Sequence, residues 1–139
     1  MFTTILYPTD GSEHARKALT IVAGIARRYG ATVVVLTAFE PLPRDLGSPY
    51  LEELMAKRLA ASEALVRGAA EVLEEEGVAY EESVLEGPAA HAILDVARAR
   101  GCDLIVMGSR GLGRVGVALL GSVSARVIHE AHCPVMVVR

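Results

Sequence analysis

Five short apolar runs alternate with four amphipathic helical stretches along the whole 139-residue chain, and this alternation constrains the fold more than any other feature. Residues 2–7 read as a first strand. Residues 13–29 read as a helix, with Ala15, Ala18, Leu19, Val22, Ala26 and Tyr29 at helical spacing, Ser12 as N-cap and Gly30 as stop. The β-branched run 32–38 predicts a buried second strand. Three prolines and a glycine make 40–49 a loop. Residues 50–76 predict a long helix, stopped at Gly77, with Leu51, Met55, Leu59, Ser62, Leu65, Val66, Ala69, Val72 and Leu73 roughly on one side. A third strand is expected over 78–85. Pro88 suits the first turn of a helix running to Arg100, which Gly101 ends. A fourth strand covers 103–107, a last helix runs to about Ala131, and a fifth strand covers 134–138.

Strands that alternate with helices imply a parallel sheet covered on both faces, and continuous apolar strands are what double burial requires. Right-handed crossovers leave few topologies. The expected class is α/β: a three-layer α/β/α domain spanning 1–139, with five parallel strands in the order 3-2-1-4-5. In such sheets, ligands bind beyond the carboxyl ends of the strands, where the strand order reverses. With this order the reversal lies between the first and fourth strands. The first ends in Pro8-Thr9-Asp10-Gly11-Ser12 and the fourth in Gly108 and a glycine-rich stretch. Those are the two most polar, turn-rich junctions of the chain, and both would face one crevice.

Composition narrows the partners. The formal charge is −3, with acids and bases mixed along the chain. It lacks the dense basic stripe of a nucleic-acid binder, so none is expected. Cys102 and Cys133 form no C-x-x-C and no metal spacing, and each reads as a small hydrophobe beside a strand. The opening residues read as a strand with no basic n-region, and no apolar run has the length of a membrane span. A cytoplasmic protein with no membrane partner is expected. The four histidines do not cluster. His14 lies near the expected crevice, whereas His91, His129 and His132 read as surface or helix-end residues.

Residues 108–124 carry the functional signal: five of the thirteen glycines fall between Gly108 and Gly121. Glycine lets a backbone approach a ligand closely, and the N–H groups at the following helix start favour an anion. Gly111-Leu-Gly113-Arg-Val-Gly116 fits the dinucleotide fingerprint, but that motif belongs after the first strand, with an acid about 20 residues further on. Here it follows the fourth strand, and Met136 stands where the acid would be. The run from Gly116 through Gly121-Ser122-Val123 looks like a lysine-bearing phosphate loop, but Ser122 stands in place of the lysine. NAD and a lysine-based nucleotide hydrolase are both disfavoured. Ser122 is a donor to phosphate, a helix N-cap, or both. Arg110 and Arg114 supply charge near the loop or are simply solvated.

A third pattern fits. Gly108-x-x-Gly111, nine residues, then Gly121-Ser122 resembles the nucleotide-binding signature of the universal stress protein family. So do the opening Ile5-Leu6-Tyr7-Pro8-Thr9-Asp10-Gly11-Ser12, the Gly87-Pro88 helix start, the run Asp103 to Gly108, and the end from Cys133-Pro134 to Val138. The resemblance covers essentially the whole chain. It implies an adenine-nucleotide-hydrolase-like, Rossmann-like fold that binds ATP with Mg²⁺ or Mn²⁺. By position it implies phosphate contacts at Gly108, Gly111, Gly121 and Ser122, with Val123 and Ser124 beside them. Met107, at the end of the fourth strand, is expected among the cofactor-binding residues. Asp10 would reach the ribose or the metal, and Pro8 and Thr9 would shape the wall. Ala38 would meet adenine through its backbone. The family often has histidine just before that position, where this chain has Thr37, and backbone recognition survives the change.

Hydrolysis needs a positioned water, a base and charge stabilisation on the leaving phosphate. Asp10 is the one carboxylate expected at the right end of the sheet, because Asp103 precedes its strand. No catalytic residue is therefore assigned. A nucleotide-binding regulatory or stress-response module is expected first, a slow metal-assisted ATPase or phosphotransferase second, and a structural dimer without nucleotide third. The apolar last strand, 134–138, would be a bare sheet edge. Such edges pair, and a homodimer through it is expected, as the family resemblance also implies.

Overall fold

A computed structural model describes residues 1–109 and 120–139. The elements run β1 (Thr4–Pro8), α1 (Glu13–Tyr29), β2 (Thr32–Phe39), α2 (Tyr50–Glu75), β3 (Tyr80–Glu86), α3 (Ala89–Ala99), β4 (Leu104–Gly108), α4 (Ser122–Glu130) and β5 (Val135–Val138). The five strands form one sheet in the order β3-β2-β1-β4-β5, and every neighbouring pair is parallel. This is the α/β architecture and strand order expected from the sequence.

The two-residue period of a strand divides the core into two layers. Ile5, Tyr7, Val33, Val35, Leu104 and Val106 face α1 and α2, where they meet Ala18, Val22, Ala26, Val66 and Leu73. Leu6, Val34, Leu36, Ile105 and Met107 face α3 and α4, where they meet Ile93, Ala97 and Val127. Cys102 is buried in the second layer and Cys133 packs partly buried against it, so both are free thiols used as small apolar groups. Burial pushes the Cys102 thiol up to about 11. Among the described residues, no helix is long and apolar enough to cross a membrane.

Several boundaries differ from the sequence reading. β1 starts at Thr4 and ends at Pro8, and β3 starts at Tyr80. Val78 is buried beyond the end of α2, where its N–H donates to Leu73 O at 2.9 Å. More important, β3 is not a continuous buried run. It is an edge strand, and Glu81, Glu82, Leu85 and Glu86 are exposed on it. Charged residues on an edge discourage pairing with another chain. The long helix also buries a narrower stripe than expected. Ser62, Val66, Ala69, Ala70 and Leu73 are buried, but Leu59, Leu65 and Val72 are exposed. A helix of 26 residues is about 39 Å long and overhangs strands of four to eight residues. Pro88 sits at the cap of α3, just outside its first turn.

The start of β4 is anchored at the end of the sheet away from the crevice. The Asp103 carboxylate accepts from Thr3 N and Thr3 Oγ1 at 2.9 Å and from Thr4 N at 3.3 Å. This places Asp103 at the opposite end from Asp10, as the sequence indicated.

Candidate functional site

The turn leaving β1 is built by its own polar side chains. Thr9 N–H donates to Leu36 O at 2.8 Å, which fastens the end of β1 to β2. Asp10 Oδ1 accepts from Ser12 N at 2.9 Å, the local bond that Asp makes in a turn. Ser12 then caps α1, its Oγ accepting from Ala15 N at 3.2 Å. Gly11 between them has φ +77°, where a side chain would be strained, and an added Cβ would meet the Leu65 side chain of α2 at 2.6 Å. Tyr7 OH donates to Ala15 O at 2.6 Å, and burial raises its pKa, so the phenol stays a neutral donor that pins α1 to β1.

The turn leaving β4 lies beside it. A Cβ on Gly108 would come within 2.7 Å of Ala15 N and 2.8 Å of the His14 carbonyl carbon. Glycine is needed there because the first turn of α1 passes directly over the end of β4. Ser109 follows, buried, with its N–H donating to Val138 O at 2.8 Å and its carbonyl accepting from Gly121 N at 3.2 Å. Gly121 caps α4 with no side-chain cap bond.

Between these turns lies a crevice with a cavity volume of about 60 Å³ at the carboxyl ends of β1, β2 and β4. Seven residues singled out in the sequence line it: Pro8, Thr9, Asp10, Ala38, Met107, Gly108 and Val123. They come from four separate places in the chain, and the strand reversal between β1 and β4 brings them together. Four more lining residues escaped the sequence reading: Ala15, Leu36, Ala89 and Ile93. Ala89 and Ile93 lie four apart at the start of α3, so their spacing shows that they share a helix face. Nothing in that spacing says that the face meets a crevice.

Other sequence-singled residues fall elsewhere. Ser122 is exposed in the first turn of α4, and Gly121, not Ser122, holds the cap position. Ser124 is fully buried, and its hydroxyl donates to Gly108 O at 3.2 Å. That side chain braces α4 against β4 and is turned away from any ligand role of its own. Thr37 is also buried, donating from Oγ1 to Thr9 O at 3.1 Å. It holds the β1 turn in place. Arg110, Gly111, Gly113, Arg114 and Gly116 lie outside the described residues.

The crevice suits a flat, partly apolar ligand that carries an anion. Leu36, Ala38, Ile93 and Met107 offer apolar surface, and Thr9 and Asp10 add polar groups along one wall. Val123 brings the N-terminal turn of α4 to the crevice. The first amides of a helix have no intrahelical partner and favour negative charge. Among the described residues, no group of three or more His, Cys, Asp or Glu could hold a metal ion. One carboxylate with phosphate oxygens is nevertheless a usual ligand set for Mg²⁺, which keeps several of its waters, so Asp10 beside a bound phosphate chain fits that ion.

The pattern described as the universal stress protein family matches residues 1–139. A Thermus aquaticus protein described as a universal stress protein in a sulfhydrylase 3′ region is 45% identical over 140 residues, covering 100% of both chains. A solved structure of a hypothetical protein, determined to assign its biochemical function, superposes with a TM-score of 0.86 at 31% identity, covering 99% of this chain and 96% of that one. A universal stress protein solved in complex with cAMP superposes with a TM-score of 0.78 at 27% identity, covering 99% and 97%.

Proposed function

Because the chain belongs to the universal stress protein family, we propose that it is an ATP-binding regulatory module whose nucleotide lies in the crevice between the β1 and β4 turns. The observation that carries this reading is the convergence of Pro8, Thr9, Asp10, Ala38, Met107, Gly108 and Val123 on that one crevice. The cAMP-bound relative supports an adenine nucleotide as the ligand class. Adenine lies against Leu36, Ala38 and Ile93, with the Ala38 backbone reading its edge. Asp10 takes the ribose hydroxyls, or a Mg²⁺ or Mn²⁺ ion carried by the phosphates. The phosphates run toward Gly108 and the start of α4, where the amides of Ser122, Val123 and Ser124, the Ser122 hydroxyl, and Gly111, Gly121 and Arg110 hold them. Ser124 contributes through its backbone alone, since its hydroxyl is spent on Gly108 O.

Holding is favoured over cleaving. Asp10 is the single carboxylate among the described crevice residues, and it is already engaged with the Ser12 amide. An in-line attack on the terminal phosphate needs a group that orients water as well as one that neutralises charge. Occupancy of the crevice is therefore the signal, and two copies paired along β5 are the species that carries it.

The test is to purify the protein without added nucleotide, denature it, and identify what is released. ATP with Mg²⁺ is then titrated calorimetrically while phosphate release is followed. Micromolar affinity, about −8 kcal/mol, with negligible turnover is expected. Gly121→Val should abolish the binding heat while leaving the circular dichroism unchanged. Absence of both released nucleotide and binding heat would sink the reading. Multiple turnovers lost in Asp10→Ala would make the protein an ATPase.

A further inference from the structure

The bond between His14 and Ser109 has no part in the reading above. His14 Nδ1 lies 2.8 Å from Ser109 Oγ, across from the first turn of α1 to the residue that follows β4. Three other connections meet at the same dipeptide. Ser109 N–H is held by Val138 O at the end of β5, Ser109 O receives the Gly121 amide at the cap of α4, and Gly108 O receives the Ser124 hydroxyl. In sequence, Ser109 and Gly121 bracket the glycine-rich stretch. The first turn of α1 also passes close over Gly108. Of these links, His14–Ser109 is the one between two side chains, and it joins the dipeptide to α1.

We propose that His14 is a positioning residue for phosphate recognition. Through Ser109 it fixes the Gly108–Ser109 peptide, and with it the Gly121 end of the glycine-rich stretch, relative to the Asp10 turn and α1. The inference rests on the proposed nucleotide site and names which part of the ligand His14 governs. Its effect falls on the phosphates and not on adenine, because Leu36, Ala38 and Ile93 belong to β2 and α3, which the clasp does not join. In the tautomer in which Nδ1 accepts from the Ser109 hydroxyl, the proton sits on Nε2, and the ring acts as a neutral strut.

ATP and adenosine affinities are measured by displacement of a fluorescent ATP analogue from the wild type, His14→Ala, Ser109→Ala, the double variant and His14→Asn. Losing one such bond should weaken ATP binding about 3- to 10-fold, the usual net worth of a hydrogen bond. The double variant should lose no more than Ser109→Ala alone, and adenosine affinity should not change. Asn can place a polar atom near the position of Nδ1, so His14→Asn should recover most of the loss. Wild-type ATP affinity in His14→Ala would overturn the proposal, as would an equal loss for adenosine or additive losses in the double variant. Failure of the wild type to bind ATP would instead overturn the nucleotide reading itself. Amide exchange gives a ligand-free check: peptides spanning Gly108 and Gly121 should exchange faster in His14→Ala, and unchanged exchange would also count against the clasp.

Discussion

Gly108→Ala tests whether the end of β4 is shaped by a ligand or by the fold. The family resemblance implies phosphate contact at Gly108, but its missing side chain has a separate cause. An alanine Cβ there would stand 2.7 Å from Ala15 N and 2.8 Å from the His14 carbonyl carbon. Both are backbone atoms of α1, so no flexible side chain can swing away. The helix is also held from two sides, by Tyr7 OH on Ala15 O at 2.6 Å and by His14 on Ser109. The backbone at Gly108 is not left-handed, so the cost comes from overlap and not from torsional strain. Overpacking of this kind costs about 1–3 kcal/mol, and the stiffer unfolded chain of the alanine variant returns about 0.4–1 kcal/mol. The expected net loss is about 1–2 kcal/mol. For a chain of 139 residues that is a fall in Tm of roughly 3–10 °C. The assay is thermal and urea unfolding of nucleotide-free protein, where no ligand effect can contribute. A Gly108→Ala protein as stable as the wild type, with an unchanged urea slope, would refute the argument. It would leave Gly108 with a ligand role alone.

Gly24 and Gly68 make the opposite prediction: both lie inside helices with nothing within 4 Å of an added Cβ, so each change to Ala should stabilise by about 0.5–1 kcal/mol in the same melts. Burial opposes ionisation of Asp103, but hydrogen bonds from Thr3 and Thr4 outweigh it and hold its pKa below the usual carboxylate value. Its folded pKa is depressed, so its stabilisation is present above about pH 4 and is lost as pH falls through the folded value; acid titration of Asp103→Ala should show a shallower loss below pH 4. Asp10→Asn keeps an oxygen for the Ser12 amide and removes the charge, so the fold should hold while Mg²⁺ no longer strengthens ATP binding in calorimetry. Met136 is exposed on the β5 edge, and Met136→Glu should convert the expected dimer to monomer by light scattering, as charge on an edge strand opposes pairing.

The kind and succession of the elements follow from local chemistry. Helical spacing, a serine cap and stop glycines are local, because a helix closes its hydrogen bonds within four residues. Ser12 caps α1 and Gly30 ends it in the left-handed conformation, as read. The glycine spacing and the β1 turn were legible too, since turn chemistry lies within a few residues of itself.

Which residues meet depends on the folded arrangement. Ala89 and Ile93 look like ordinary helix positions until α3 is laid across the sheet beside Leu36. Ser124 sits in the glycine signature like a ligand residue, yet its hydroxyl turns inward to Gly108 O. Gly108 looks like a phosphate glycine until α1 is seen to cross it. His14 and Ser109 are 95 positions apart and carry no shared local signal. In each case the deciding contact joins segments far apart in the chain. Hydrophobic periodicity states which face of an element is buried; the partner on that face depends on how the strands are ordered in space.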